Sequence, residues 1–212
     1  YTLWHTLSLH DALPIWFIRR SVQAAKGKRR CIMYRSDNRD KTEQMNEVTA
    51  QARSCLNCDL GQTRKNVVIG SGSLDAKIVL VGEAPGRKED ESGLPFVGSA
   101  GKLLDGLLEA AGLEREEIFI GNILKCRPPS NRRPRKSEVE SCEGYLMRQL
   151  EIIKPNVIAP MGNSALAYFQ SRYDMGGDVI GETHGTVYEV ETSWGKVKLM
   201  PLYHPAAAIY RR

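Results

Sequence analysis

Four acidic residues lie in one glycine-rich stretch of the chain, residues 82–104, which reads GEAPGRKEDESGLPFVGSAGKLL. They are Glu83, Glu89, Asp90 and Glu91. Carboxylates so placed could orient a water molecule for attack or stabilise a developing positive charge. The stretch follows the apolar run 78–81, so we predict a strand-to-helix loop at the carboxyl end of a strand, where ligands of α/β proteins bind. A surface turn with a solvated acidic face is the alternative interpretation.

Four cysteines have a spacing that is typical of a metal site: Cys55, Cys58, Cys126 and Cys142. The first two form a C-x2-C pair, and the other two lie beside a predicted strand end and in the first turns of a predicted helix. Sets of four thiolates bind zinc or iron–sulfur clusters, and the spacing alone does not choose between them. Four unpaired thiols in a reduced cytoplasm are the alternative. A fifth cysteine, Cys31, lies in a separate N-terminal segment.

The predicted strands carry several of these carboxylates and cysteines at or near their carboxyl ends. Apolar, β-branched runs predict strands at 77–82, 118–124 and 157–161. A hairpin of 187–190 with 196–203 ends directly before His204.

Helices separate the predicted strands. One begins at Met45, one follows the acidic loop, one begins at Ser137 in a capping-box pattern and runs to about residue 153, and one follows Asn163. The proline-rich loop 125–136 is not helical. This alternation predicts an α/β fold with a parallel sheet between two layers of helices.

The net positive charge is confined to the N-terminal part of the chain. The formal net charge is +5, and residues 1–44 hold nine Lys/Arg against four Asp/Glu, so residues 45–212 are neutral. Residues 6–15, TLSLHDALPI, resemble the conceptual translation of a sequencing-library adapter. We predict that residues 1–44 are a non-native or disordered extension, and that the domain occupies 45–212 and lacks a closing C-terminal helix. A signal peptide is the competing interpretation, but the basic residues follow the apolar ones.

The motifs GEAPG, ED-x2-G-x-PFVG-x-AG-x-LL, N-x3-CRPP-x-N and HPAA occur in this order. With the four cysteines, they make residues 50–212 resemble the family 4 uracil-DNA glycosylases, the iron–sulfur branch of that superfamily. The resemblance implies a three-layer α-β-α sandwich around a mainly parallel, four-stranded sheet. It also implies a [4Fe-4S] cluster held by Cys55, Cys58, Cys126 and Cys142. Gly121 is a mild departure, since relatives more often carry Thr or Ala there.

The implied activity is hydrolysis of the N-glycosidic bond of deoxyuridine in DNA during base-excision repair. Such an enzyme flips the nucleotide out of the helix and reads the edge of the base. By resemblance, Phe96 stacks on uracil, Asn122 reads its N3-H and O4, and the backbone N–H groups of Ala84 and Gly86 approach the base or a phosphate. A core anchor for Phe96 and an amide that ties two loops for Asn122 are the structural alternatives.

The implied catalytic residues are His204, Glu83 and Glu89. His204 donates a hydrogen bond to the uracil O2, where negative charge develops as the bond breaks. Glu83 and Glu89 lie closest to the base by resemblance, and Asp90 competes with them for the role of orienting water or stabilising the sugar cation.

A basic run in the loop after the second strand predicts contacts with DNA phosphates. Its cations are Lys125, Arg127, Arg132, Arg133, Arg135 and Lys136, with no acid among residues 125–136. We assign DNA binding to Arg127, Arg132, Arg133 and Arg135, and a solvated loop is the alternative. Residues 207–210 follow the histidine where the family inserts a wedge into the helix.

No apolar run reaches the length needed to span a bilayer, so we predict a soluble protein. With the family resemblance, we also expect a cytoplasmic, prokaryotic-type, nucleoid-associated protein that acts as a monomer on single- or double-stranded DNA containing uracil. Two other functions stay open. One is a cluster-stabilised nucleic-acid-binding module without catalysis, and the other is a structural protein that binds zinc.

Overall fold

A computed structural model of the chain describes residues 40–210. The predictions for residues 1–39, including the adapter-like segment and Cys31, lie outside the described residues. Within the described part, no helix is long and apolar enough to cross a membrane.

A six-stranded sheet forms the centre of the domain. The strands are β1 (Ser71–Gly72), β2 (Ile78–Gly82), β3 (Phe119–Asn122), β4 (Val157–Pro160), β5 (Tyr188–Thr192) and β6 (Gly195–Leu199). Their order is β1-β3-β2-β4-β6-β5. The four inner strands run parallel, whereas β1 and β5 pair antiparallel at the two edges. The α/β class and the four-stranded parallel core are therefore confirmed, as is the β5–β6 hairpin, and the short strand β1 is an addition.

The helices cover both faces of this sheet. They are α1 (Lys41–Ser54), α2 (Leu60–Thr63), α3 (Arg87–Ser92), α4 (Ser99–Ala110), α5 (Lys136–Ile153), α6 (Asn163–Arg172), α7 (Ile180–Thr183) and α8 (Pro205–Tyr210). Side chains alternate between the two faces of a strand. Val79 and Val81 of β2 thus share one core with α1, α5 and α6, while Ile78 and Leu80 share the other with α4. Burial on both faces explains why β2 is a continuous apolar run.

Two long helices begin earlier than predicted. Helix α1 begins at Lys41, whose ammonium donates to the carbonyl of Leu74 at 3.0 Å and to Asp75 at 2.8 Å. Residues 41–44 therefore belong to the fold.

Helix α5 begins at Lys136 and not at Ser137. Its capping carboxylate is Glu138, which accepts a hydrogen bond from the backbone N–H of Arg135 at 2.8 Å. Glu138 is buried and forms an ion pair with Arg132.

Four short helices were not predicted, because each is too short to show a helical period. Helix α3 lies inside the predicted loop 82–104 and ends at Gly93, whose φ of 76° lies in the left-handed region. Helix α8 follows His204 directly, whereas the sequence showed no closing element there. The other two are α2 and α7.

The carboxyl ends of the parallel strands bring the predicted site residues to one edge. Gly82, the last residue of β2, is in register with Asn122, the last residue of β3. On the other side of β2, Met161 bridges to Leu202, two residues before His204.

Candidate active site

Gly82 brings two of the predicted base-binding residues together. A Cβ atom at Gly82 would overlap Oδ1 of Asn122 and would lie 2.9 Å from Cζ of Phe96. Only glycine leaves room for both side chains. Asn122 is buried, and its side-chain amide has no hydrogen-bond partner among residues 40–210. The amide is therefore available to a ligand.

Phe96 is held in a strained backbone conformation. Its φ of 52° is uncommon for a residue with a bulky side chain, and such strain is characteristic of functional sites. One oxygen of Glu89 accepts hydrogen bonds from the backbone N–H groups of Val97 at 3.0 Å and Gly98 at 2.9 Å. Arg115 donates to the carbonyl of Pro95 at 2.5 Å. Contacts on both sides of Phe96 thus fix its position.

His204 faces the same space. Its ring centroid lies 5.6 Å from that of Phe96, and Gly162, with a φ of 84°, passes against its Cβ. The backbone N–H of Ala206 donates to Nδ1 at 3.1 Å, so the proton of the neutral ring is on Nε2. Burial lowers the pKa of His204, although Glu83 and Glu89 act in the opposite direction. His204 is therefore a neutral Nε2–H donor at physiological pH.

The three candidate carboxylates have different surroundings. The half-buried side chain of Glu83 makes no hydrogen bond to a described residue. Glu89 is occupied by the Phe96 loop and also packs against Gly86, where a Cβ would lie 2.6 Å from its second oxygen. Asp90 is buried and accepts hydrogen bonds from the backbone N–H groups of Lys65 and Asn66 at 2.9 and 3.3 Å. Of the three, Glu83 is the one that is open to a ligand.

Cys126 and Cys142 form a small buried cluster with Leu60 and Leu124, and Cys58 packs against it. Burial raises the pKa of Cys142 to about 11, and the charges of Cys126 and Cys58 contribute. Burial also raises the pKa of Cys126, and Cys58 and Cys55 add to this effect. Three of the predicted ligands therefore pack together, and Cys55 is close enough to raise the pKa of Cys126.

The sulfurs of this cysteine site have donors around them. Arg64 donates to Sγ of Cys126 at 3.2 Å, and the backbone N–H of Lys125 donates to Sγ of Cys142 at 3.3 Å. Ala84, at the start of the acidic loop, also packs against this site. Among residues 40–210, no three His, Cys, Asp or Glu side chains are close enough to hold a single metal ion.

The basic run divides into inward-facing and outward-facing residues. Lys125 is 1% exposed, so its predicted place in a solvent-facing patch is wrong. Burial lowers the pKa of Lys125 to about 8, against the charges of Cys142 and Cys126. Arg132 forms two hydrogen bonds to the buried Glu138, at 2.9 and 2.5 Å. Arg133 and Arg135 are exposed. Arg127 is half-buried, and its Nε donates to Asn131 at 2.7 Å.

Sequence reasoning missed the residues that hold this site in place. Gly101 lies directly against the backbone of Phe96, and a glycine within a helical pattern was the signal available for it. Arg115, which donates to Pro95 and pairs with Asp105 at 2.6 Å, gave no signal. Arg64 gave none either.

An open cleft of about 1100 Å³ lies elsewhere, between α5, α6 and the β5–β6 hairpin. Tyr168, Tyr173 and Trp194 are among its lining residues. Of the predicted site residues it includes Arg133 alone. Since the other predicted site residues do not line this cleft, the candidate active site is the sheet edge that carries Gly82, Asn122 and His204.

Comparisons with known proteins point to a single family. A family model described as the uracil DNA glycosylase superfamily matches residues 69–212. The chain is 51% identical over 170 residues to a type-4 uracil-DNA glycosylase of Archaeoglobus fulgidus, which covers 80% of this chain and 85% of that protein. It is 44% identical over 164 residues to that of Saccharolobus solfataricus, covering 77% and 76%. The protein of the same name from Thermotoga maritima is 41% identical over 170 residues, covering 80% and 85%.

Proposed function

Because the chain belongs to the uracil DNA glycosylase superfamily, and within it to the type-4 uracil-DNA glycosylases, we propose that it removes uracil from DNA by hydrolysing the N-glycosidic bond of deoxyuridine during base-excision repair. The observation that carries this proposal is the meeting of Asn122, Phe96 and His204 at the carboxyl ends of the parallel strands. An aromatic face, an unpaired amide and a neutral donor are the groups needed to bind a flipped base.

Base selection follows from the chemistry of Asn122. Its amide accepts a hydrogen bond from N3-H of uracil and donates one to O4, whereas cytosine presents an acceptor and a donor in these places. Phe96, fixed by Glu89 and Arg115, stacks on the face of the base. The backbone N–H groups at Ala84 and Gly86 are further donors to the base or its phosphate.

Bond cleavage needs charge stabilisation on both fragments. The bond between C1′ and N1 breaks, its electron pair leaves with the base, and water adds at C1′. The Nε2–H of His204 donates to O2 of the leaving uracil, and such a donor typically supplies about 3 kcal/mol. Glu83, which is open to a ligand, orients the water or stabilises the sugar cation. Glu89 acts by positioning the Phe96 loop.

The cofactor of this proposal is a [4Fe-4S] cluster held by Cys55, Cys58, Cys126 and Cys142. Each sulfur of such a cluster binds a different iron, so the ligands stand farther apart than those of one zinc ion. Cys58, Cys126 and Cys142 share one buried cluster, and the resemblance to the iron–sulfur branch of the superfamily favours a cluster over zinc. When bound, the cluster cross-links three segments of the chain.

DNA binding in this proposal depends on the outward-facing arginines Arg133 and Arg135, with Arg127 at the edge of the cysteine site. Arg132 contributes mainly by holding Glu138. Residues 207–210 enter the DNA helix as a wedge in this proposal. The enzyme acts as a monomer in the cytoplasm on single- or double-stranded DNA, and residues 1–39 are not required for uracil release.

The test is uracil release from single- and double-stranded oligonucleotides by the purified protein, with and without residues 1–39. We expect release by both forms, no release from matched thymine or cytosine oligonucleotides, and a loss of about 100- to 1000-fold for His204→Ala. DNA binding without uracil release would support the non-catalytic module instead.

The cofactor has its own test. We expect the protein to carry iron and the broad visible absorbance of an iron–sulfur cluster, and Cys126→Ala to lose both and to unfold at lower temperature. Zinc in place of iron would overturn the cofactor while leaving the activity open.

A further inference from the structure

Lys125 is a buried cation whose hydrogen-bond partners are neutral. Its side chain is 1% exposed, and its ammonium donates to the backbone carbonyl of Asn122 at 2.8 Å and to Oε1 of Gln149 at 2.6 Å. No carboxylate among residues 40–210 forms an ion pair with it. Buried charges in proteins are normally paired or next to a metal centre, because an unpaired one is costly.

The negative groups that act on Lys125 are the sulfurs of the cysteine site. Lys125 directly precedes Cys126 in the chain, and its own backbone N–H donates to Sγ of Cys142 at 3.3 Å. Four thiolates around a [4Fe-4S] core carry a net negative charge. This negative charge therefore balances the ammonium of Lys125, with which no carboxylate among residues 40–210 forms an ion pair.

Lys125 also contacts Asn122, the residue proposed to recognise the base. Lys125 holds the carbonyl of Asn122, and the short turn between them is tied to the acidic loop, since the N–H groups of Ile123 and Leu124 donate to the carbonyls of Gly82 and Glu83 at 3.0 and 3.1 Å. Gln149 is itself fixed, because its amide donates to the carbonyl of Ile69 at 2.8 Å. The ammonium is thus held between the carbonyl of Asn122 and the side chain of Gln149, on a residue whose backbone contacts the cysteine site.

We propose that Lys125 is a positioning residue that couples the cluster to base recognition: its ammonium balances the negative charge of the cluster and at the same time fixes the backbone of Asn122. This inference depends on the cluster of the proposed function. A nearby buried cation favours the reduced cluster, which is the more negative form, so Lys125 raises the reduction potential.

The experiment compares the midpoint potential of the cluster in four loaded proteins by spectroelectrochemistry. Lys125→Met removes the positive charge. Gln149→Met removes one hydrogen-bond acceptor of the Lys125 ammonium but keeps the charge. Lys102→Met removes a charge at an exposed position of α4 that lies outside the buried cysteine cluster, and it serves as the control. We expect a more negative potential for Lys125→Met alone, with a several-fold lower kcat/KM for uracil release. An unchanged potential in Lys125→Met, or an equal shift in Gln149→Met, would overturn the proposal.

A second variant covers the case in which Lys125→Met does not fold. Gln149→Glu places a carboxylate where Lys125 already donates, so it neutralises the ammonium while keeping the hydrogen bond. We expect it to lower the potential as well, and a wild-type potential would contradict the proposal. Absence of iron from the wild-type protein would overturn the cluster itself, whereas iron with unshifted potentials would overturn only the role of Lys125.

Discussion

The backbone of Gly101 lies directly against the carbonyl oxygen of Phe96, and a Cβ atom at Gly101 would overlap that oxygen. Helix α4 can therefore approach the Phe96 loop only with glycine at this position. The contact supports a residue whose φ of 52° is unfavourable by itself.

Gly101→Ala is expected to displace Phe96, lowering both the melting temperature and kcat/KM for uracil release. Gly106→Ala, in the same helix, is the matched control, because a Cβ there would contact nothing within 4 Å. Alanine is the better helix former by about 1 kcal/mol, so Gly106→Ala should be neutral or slightly stabilising. Thermal unfolding and oligonucleotide cleavage check both, and equal behaviour of the two variants would contradict the contact.

His204 is expected to titrate below the ordinary histidine value of 6.5, because burial disfavours its charged form. As the pH falls, His204 therefore takes up its proton first in the unfolded chain. The free energy of unfolding begins to fall near the pKa of His204 in the unfolded chain, and the loss is complete below its pKa in the folded protein. NMR of the imidazole nitrogens gives the midpoint and the tautomer. A midpoint at or above 6.5, or a proton on Nδ1, would refute the assignment of a neutral Nε2–H donor.

Glu83 and Glu89 are expected to fail in different ways. Glu83→Gln should lower kcat by about 100-fold or more and leave the melting temperature unchanged, since its carboxylate holds no described group. Glu89→Ala should lower the melting temperature and raise KM, because Val97 and Gly98 lose their acceptor. Steady-state kinetics with thermal unfolding separates the two, and the reverse pattern would exchange their roles.

Two arginines of the basic run are expected to differ in the salt dependence of DNA binding. Arg135→Ala should weaken binding and reduce the slope of log K against log salt by about 0.7 to 0.9 for the lost phosphate contact. Arg132→Ala should instead lower the melting temperature, since it leaves the buried Glu138 without its cation. Fluorescence anisotropy at several salt concentrations gives the slopes, and an unchanged slope for Arg135→Ala would remove it from the interface.

Local sequence patterns predicted the three central strands β2, β3 and β4 because these strands are buried on both faces. Strand β2 is apolar at every position before Gly82, so no other element fits it. Helix α3 was missed because it has no apolar face, and its buried Asp90 is held by backbone N–H groups about 25 residues earlier in the chain.

The site residues were found through motifs, but their separate tasks depend on tertiary contacts. Lys125 stands in a run of cations, and only the positions of Gln149 and the Asn122 carbonyl turn it inward. Glu89 likewise looks like any other carboxylate of the acidic loop until the backbone of Val97 and Gly98 is seen beside it.

The edges of the sheet have a consequence for the behaviour of the protein at high concentration. Strand β1 has only two residues, and β5 carries the exposed carboxylates Glu189 and Glu191. Short and charged edge strands resist pairing with the strands of another molecule. Neither margin of the sheet therefore offers a template for strand addition, which protects the protein against edge-to-edge aggregation.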